Sequence, residues 1–246
     1  MFDSSAKWIP TIGFAIGQLF PTNPESLVVA TNDDPEQRGT LLFYDLPSTE
    51  GSIKDKQIIS DPQWEPFSNF GNKIVIVDIN NDNFNDLLVT SPTSKWLDLP
   101  EVGHVHLFMN TKSGKFLTNS SIIIHGIPVA HSFFGWNAEA VGDLDGDGVN
   151  DFLIAALKLS KDDLLGGVYV YLGGDDGVIR QLTYHEIIKP RLSLNNELTG
   201  FGFFLSSKMV LDEQGNNCND CNNRYYDVTC FQWRSGCLHA NEQRSC

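Results

Sequence analysis

Cysteine is missing from residues 1–217; the five in the chain, Cys218, Cys221, Cys230, Cys237 and Cys246, fall in its last 29 residues. No disulfide can therefore staple the greater part of the chain. Basic residues are scarce, with 17 Lys and Arg against 31 Asp and Glu and a formal net charge of -14. That balance, with no Lys/Arg-rich run, repels phosphate backbones and excludes a nucleic-acid partner. Long apolar runs are absent too. The longest, from Phe152 to Leu159, is well short of the ~20 residues that carry a helix through a bilayer. The opening stretch, MFDSSAKWIP, lacks the basic and then apolar regions of a secretory signal, and taken alone reads as cytoplasmic. No segment offers a sustained helical stripe.

What is present is enough apolar content for a core, 41% of 246 residues, in a length that suits one large domain or two small ones. The chain also repeats itself. A Phe-Gly pair recurs at Phe70-Gly71, Phe134-Gly135 and Phe201-Gly202, with spacings of 64 and 67 residues and a weaker Ile12-Gly13 ahead of them. A glycine opens a short apolar strand at Gly39, Gly103 and Gly167, with spacings of 64 and 64. Each apolar run is only four or five residues long and is bounded by Gly, Asn, Asp or Pro, which predicts strands. The third unit reads as strands at 138–141, 152–156, 168–172 and 184–188, the second at 74–79, 87–90, 105–108 and 121–124, and the first at 14–20, 27–30, 41–44 and 57–59. Four strands per unit is the pattern of propeller blades. The expected fold is all-β, a partial β-propeller of about 3.5 four-stranded blades over residues 11–205. Its units lie near 11–69, 70–133 and 134–200, with a fourth starting at 201 and a Cys-rich tail over 206–246. Since propellers close with four or more blades, the chain reads as a fragment or truncated form of a longer protein, with an uncapped apolar face.

Two loops carry the strongest chemical signal. Asp143, Asp145, Asp147 and Asp151 in the third unit, and Asp78, Asn80, Asp82 and Asp86 in the second, both obey D-x-[DN]-x-D-x-x-x-D. Ca2+ takes six to eight oxygens at about 2.3–2.6 Å in a forgiving geometry, and alternate oxygen-bearing side chains in a tight loop converge on one point. The backbone carbonyls of Val149 and Phe84 fill the seventh loop position, while Gly148 and Asn83 stand where the chain turns sharply. An EF-hand is excluded, because the twelfth positions are Ile154 and Val89 instead of Glu and the flanks are strands. About two Ca2+ ions are therefore expected. The loop from Asp143, with four carboxylates against three, fills first. The first unit's stretch from Pro21 to Ser26 is too poor in ligands, and Asp212, Gln214, Asn216 and Asp220 form only a weak fourth site.

Phe-Gly, an acidic loop, a strand and then Gly-Val-Tyr-Val-Tyr, over about residues 11–205 and most completely from Phe134 to Gly173, resemble the FG-GAP repeat. That repeat builds the integrin α-subunit headpiece and the C-terminal part of glycosylphosphatidylinositol-specific phospholipase D. The resemblance implies a seven-bladed ring with Ca2+ on one face, working outside the cell in adhesion or in recognition of a protein or cell-surface ligand, with the remaining blades in a longer parent chain. Calcium is then structural, and no residue here matches a catalytic motif. The alternative is the accessory propeller of a secreted glycosylphosphatidylinositol-cleaving phospholipase, whose hydrolase domain would precede the repeats.

Other residues carry weaker signals. His104 and His106 alternate on a strand and share a face, as two ligands of a metal site or as structural residues. Cys218-x-x-Cys221 lacks both the βαβ context of a redox motif and the second pair of a zinc site. With extracellular kinship, the five cysteines form two disulfides with one left over, or belong to an aberrant tail. Asn119-Ser120-Ser121 is a glycosylation sequon. Trp64, Trp96 and Trp136 line a ligand surface or pack between blades.

Overall fold

Short runs rich in β-branched and aromatic residues, cut by Gly, Asn and Asp before a helix could complete three turns, form strands. A computed structural model describes residues 11–19, 25–32, 35–46, 55–60, 65–111, 115–116, 122–161, 166–174, 182–189, 201–203, 205, 231–234 and 237–240. Three four-stranded antiparallel sheets dominate it, and no helix occurs among the described residues. The first sheet orders β1 (Thr11–Gly17), β2 (Glu25–Thr31), β3 (Thr40–Leu46) and β4 (Asp55–Ile59) side by side. In the second, β5 (Ile74–Val77), β6 (Asp86–Ser91) and β7 (His104–Phe108) are followed by a small hairpin, β8 (Asn110–Thr111) with β9 (Lys115–Phe116), before β10 (Ile122–His125) closes the sheet. The third runs β11 (Asn137–Gly142), β12 (Asp151–Ala156), β13 (Gly167–Tyr171) and β14 (Glu186–Ile188). A separate hairpin joins β15 (Phe231–Arg234) to β16 (Cys237–Ala240). The all-β expectation and the four-strand repeat hold.

The core lies between the sheets. Alternate residues of a strand point to opposite faces, so each central strand serves two layers. Leu87 and Val89 of β6 pack with Val28, Leu41 and Phe43 of the first sheet, whereas Leu88 packs with Phe152 and Ile154 of the third. Being covered on both faces, β6 and β12 are buried at every residue, and each follows its opening aspartate with an apolar run, Leu87–Val89 and Phe152–Ala156. Phe70 and Phe134 are wedges between successive sheets. Phe134 is fully buried with its ring edge-on to Tyr169 at 5.0 Å, and Phe201 covers Leu153, Ala155, Val168 and Val170 in the same manner.

One landmark is shifted. The glycines that precede the third strands adopt a left-handed backbone, with φ of +86° at Gly39 and +85° at Gly103, and the third-unit residue that matches them is Gly166 at +78° rather than Gly167. At Gly103 a side chain is also sterically excluded, since an added Cβ would lie 2.0 Å from the Phe134 carbonyl oxygen.

The outer face of the first sheet is uncovered among the described residues. The ladder places Phe14, Val29, Leu42 and Ile58 in one row. Phe14, Ile16 and Ile58 are 66%, 53% and 54% exposed, as expected of an open arc of blades.

Two buried phenols in the third sheet make the core sensitive to alkali. Burial, aided by the nearby Tyr184, pushes Tyr169 up to about 12 against an opposing backbone hydrogen bond with Ile127, and burial drives Tyr171 up as well. A raised phenol retains its proton in the folded state after the unfolded chain has lost it, so its contribution is complete below about pH 10 and is lost as pH rises through the folded value. Alkaline unfolding followed by circular dichroism is expected to start above pH 10, and Tyr169→Phe should move its midpoint upward.

Candidate functional site

Chain direction puts the loops between first and second strands at one end of the sheets, and loops 92–103 and 126–136 at the other. The two acidic loops are thus neighbours. The Asn150 side-chain amide donates to the Asp78 carbonyl at 2.9 Å, and Gly174 N donates to the Ile79 carbonyl at 3.0 Å.

Their internal hydrogen bonds follow one pattern, with one further bond in the loop from Asp143. Asp143 accepts from the backbone N–H groups of Gly146 (2.5 Å), Asp147 (3.1 Å) and Gly148 (3.0 Å); Asp78 accepts from Asp82 (3.2 Å) and Asn83 (2.8 Å). Asp145 and Asn80 each accept from the residue two ahead, and Asp147 and Asp82 accept from Val149 and Phe84. Successive Asx-type turns of this kind bend the loop so that its carboxylates share an inner side. The bend needs left-handed residues, at Gly146 and Gly148 in one loop and Asn81 and Asn83 in the other. Gly148 and Asn83 are the sharp-turn positions expected from sequence; Gly146 and Asn81 were not anticipated, although the same residue types signal them.

The last aspartate of each motif is the anchor. Asp151 is buried and accepts from Leu144 N at 2.5 Å and Gly173 N at 2.8 Å; Asp86, wholly buried, accepts from Ile79 N at 3.3 Å and Asn110 N at 2.8 Å. The Asn110 side chain in turn donates to the Leu19 and Asn85 carbonyls. Leu144 and Ile79 belong to the loops themselves, but Gly173 and Asn110 lie 22 and 24 residues downstream of their aspartates, beyond the reach of a local motif. Burial pushes Asp86 up to about 7 despite its two backbone donors, with the charges of Asp82 and Asp78 adding to the rise; burial raises Asp151 for the same reason, beside Asp145 and Asp147.

Carboxylates held together against this cost fit a hard cation, which would favour their ionised forms. Asp143, Asp145 and Asp151 each place a carboxylate oxygen within 4.8 Å of the others'. Asp147 stands in the same loop, outside that trio.

A second polar cluster occupies the opposite end of the second sheet. His104 lies directly across the ladder from His125, their rings 4.5 Å apart at 88°, and Trp96 stacks on His125 at 4.4 Å. His106, on the same face, packs edge-on to Phe70 at 5.1 Å. Burial lowers all three imidazoles, His104 to about 4 and His106 to about 3. The sequence pairs His104 with His106; it does not reveal His125, which arrives from another strand. Trp136 packs between Phe133 and Phe203. Asn119, Trp64, Cys218, Cys221, Cys230, Cys246, most of Pro21 to Ser26, and Asp212, Gln214, Asn216 and Asp220 lie outside the described residues, and Cys237 is described only as backbone in β16.

Residues 78–154 match the FG-GAP-like repeat. The chain is 30% identical to integrin alpha-3 of Mus musculus over 208 residues, which cover 82% of this chain and 18% of that protein. It is 33% identical to integrin alpha-4 of Xenopus laevis over 224 residues, covering 89% and 20%. With integrin alpha-IIb of Homo sapiens it shares 30% identity over 155 residues, 60% of this chain and 14% of that protein. The chain spans a fifth or less of the length of these relatives.

Proposed function

From integrin-like FG-GAP repeats as the premise, we propose that this chain is a calcium-stabilised propeller segment serving extracellular adhesion or recognition, its ring completed by further blades of a longer parent chain. One ion is held by Asp143, Asp145, Asp147, Asp151 and the Val149 carbonyl, and another by Asp78, Asn80, Asp82, Asp86 and the Phe84 carbonyl. The observation that carries this reading is the convergence of Asp143, Asp145 and Asp151 oxygens within 4.8 Å, repeated in hydrogen-bond pattern by the loop from Asp78. Calcium here ties strand ends together and performs no reaction.

Recognition falls to the other end. Phe67 and Leu97 are 63% and 65% exposed there, and non-glycine residues take positive φ at Phe67, Leu97, Asp98, Glu101, His131 and Phe133. Strained backbone and exposed apolar side chains concentrate at binding loops. The exposed row from Phe14 to Ile58 supports a neighbouring blade on the first sheet. The phospholipase alternative rests on the same repeat and requires a hydrolase domain elsewhere in the parent.

Thermal melts test the metal half of the reading. Millimolar Ca2+ is expected to raise the melting temperature above that in EDTA, and Mg2+, which demands near-ideal octahedral geometry, to do so less. Equal melts in all three buffers would refute it.

A further inference from the structure

We propose that Ser91, His104 and His125 form a nitrogen-donor cation site for a borderline first-row ion, with Zn2+ as its probe, at the end of the second sheet opposite the acidic loops. Ser91 pairs with His104 and His104 with His125, so the three stand in one row across β6, β7 and β10, on one face. Within that row Ser91 Oγ, His104 Nε2 and His125 Nδ1 are buried and have no hydrogen-bond partner. Buried polar atoms in folded proteins are nearly always partnered, so three adjacent exceptions point to a missing occupant.

The fold does not demand this row. At the corresponding ladder positions the first sheet pairs Thr31 with Thr40, and the third pairs Ala156 with Gly167. Only the second sheet, among the three, carries imidazoles there.

The His104 ring is also set as a ligand is set. It hydrogen-bonds the Lys95 backbone, and with Nε2 unpartnered that bond belongs to Nδ1–H, which leaves the Nε2 lone pair uncommitted. A ligating histidine commonly donates its other N–H to a backbone carbonyl in this way. Trp96 stacks on His125 at 11° and fixes the second ring. His106 lies one step further along the strand, packed against Phe70 and Phe108, and is not part of the donor set.

Ca2+ prefers oxygen, whereas neutral imidazole suits Zn2+, Cu2+ and Ni2+. Two nitrogens and a hydroxyl leave one position of a tetrahedron for water or for a side chain of a docked partner. The site is independent of the calcium loops, which lie at the other end.

The test is a calorimetric titration of Zn2+ into the folded chain with the acidic loops saturated by Ca2+. One equivalent is expected, and His104→Gln or His125→Gln should weaken it at least about tenfold, as loss of a ligand or its support does, while His185→Gln, at an exposed position before β14, leaves it unchanged. Cu2+ should quench Trp96 fluorescence saturably in the unsubstituted protein, and Trp96→Phe should remove that quenching without removing binding. No saturable Zn2+ binding, or an affinity in both glutamine variants unchanged from that of the parent, would overturn the proposal and assign the row to an ordered water alone.

Discussion

Asp145→Ala is expected to abolish the tighter calcium site, lowering the melting temperature in millimolar Ca2+ while leaving it nearly unchanged in EDTA. Asp145 is exposed and lies with Asp143 and Asp151 in the converging trio. Without metal its loss removes one acceptor for Asp147 N and relieves repulsion between neighbouring carboxylates. With metal it removes a ligand. At a free ion concentration about 100 times Kd, binding to the folded state alone stabilises by about 2.7 kcal/mol, which corresponds to roughly 5–10 °C for a chain of this size class. Asp151→Asn should behave differently, because Asp151 also holds Leu144 and Gly173 and its loss is felt in both buffers. Paired melts of parent and Asp145→Ala decide it: the same melting temperature in both buffers means the loop is an ordinary turn.

The second large effect belongs to packing. Phe134→Ala should destabilise the chain by about 3–5 kcal/mol, the usual range for emptying a fully buried aromatic site. Phe134 has no exposed surface, meets Tyr169 at 5.0 Å and is closely backed by Gly103 and Gly126. Its neighbours belong to two sheets, so the cavity cannot collapse without moving one sheet against the other. Phe203→Ala, at a residue 39% exposed, should cost far less. Urea unfolding of both variants measures the contrast, and a loss below about 1 kcal/mol at Phe134 would contradict its role as the wedge between sheets.

The repeat was legible because propeller blades impose the same demand at each turn: a buried wedge, a left-handed glycine and a strand buried on both faces. The register of the third unit was not, since Gly166 and Gly167 are adjacent and only the backbone angle distinguishes them. Likewise, the alternation of acidic residues from Asp143 announces a loop that gathers oxygens. What holds Asp151 and Asp86 in place, Gly173 and Asn110, depends on where the third strand ends beside the second. The histidine row is hidden for the same reason. His104 and His125 are 21 residues apart in the sequence, and their meeting is fixed by the β7–β10 register and not by any local spacing.

Calorimetric titration of Ca2+ into the folded chain tests the central claim most directly. Two ions should bind, the tighter at the loop from Asp143 with its four carboxylates and the weaker at the loop from Asp78, and Asp145→Ala should leave only the weaker. A folded chain that takes up no calcium would contradict the account.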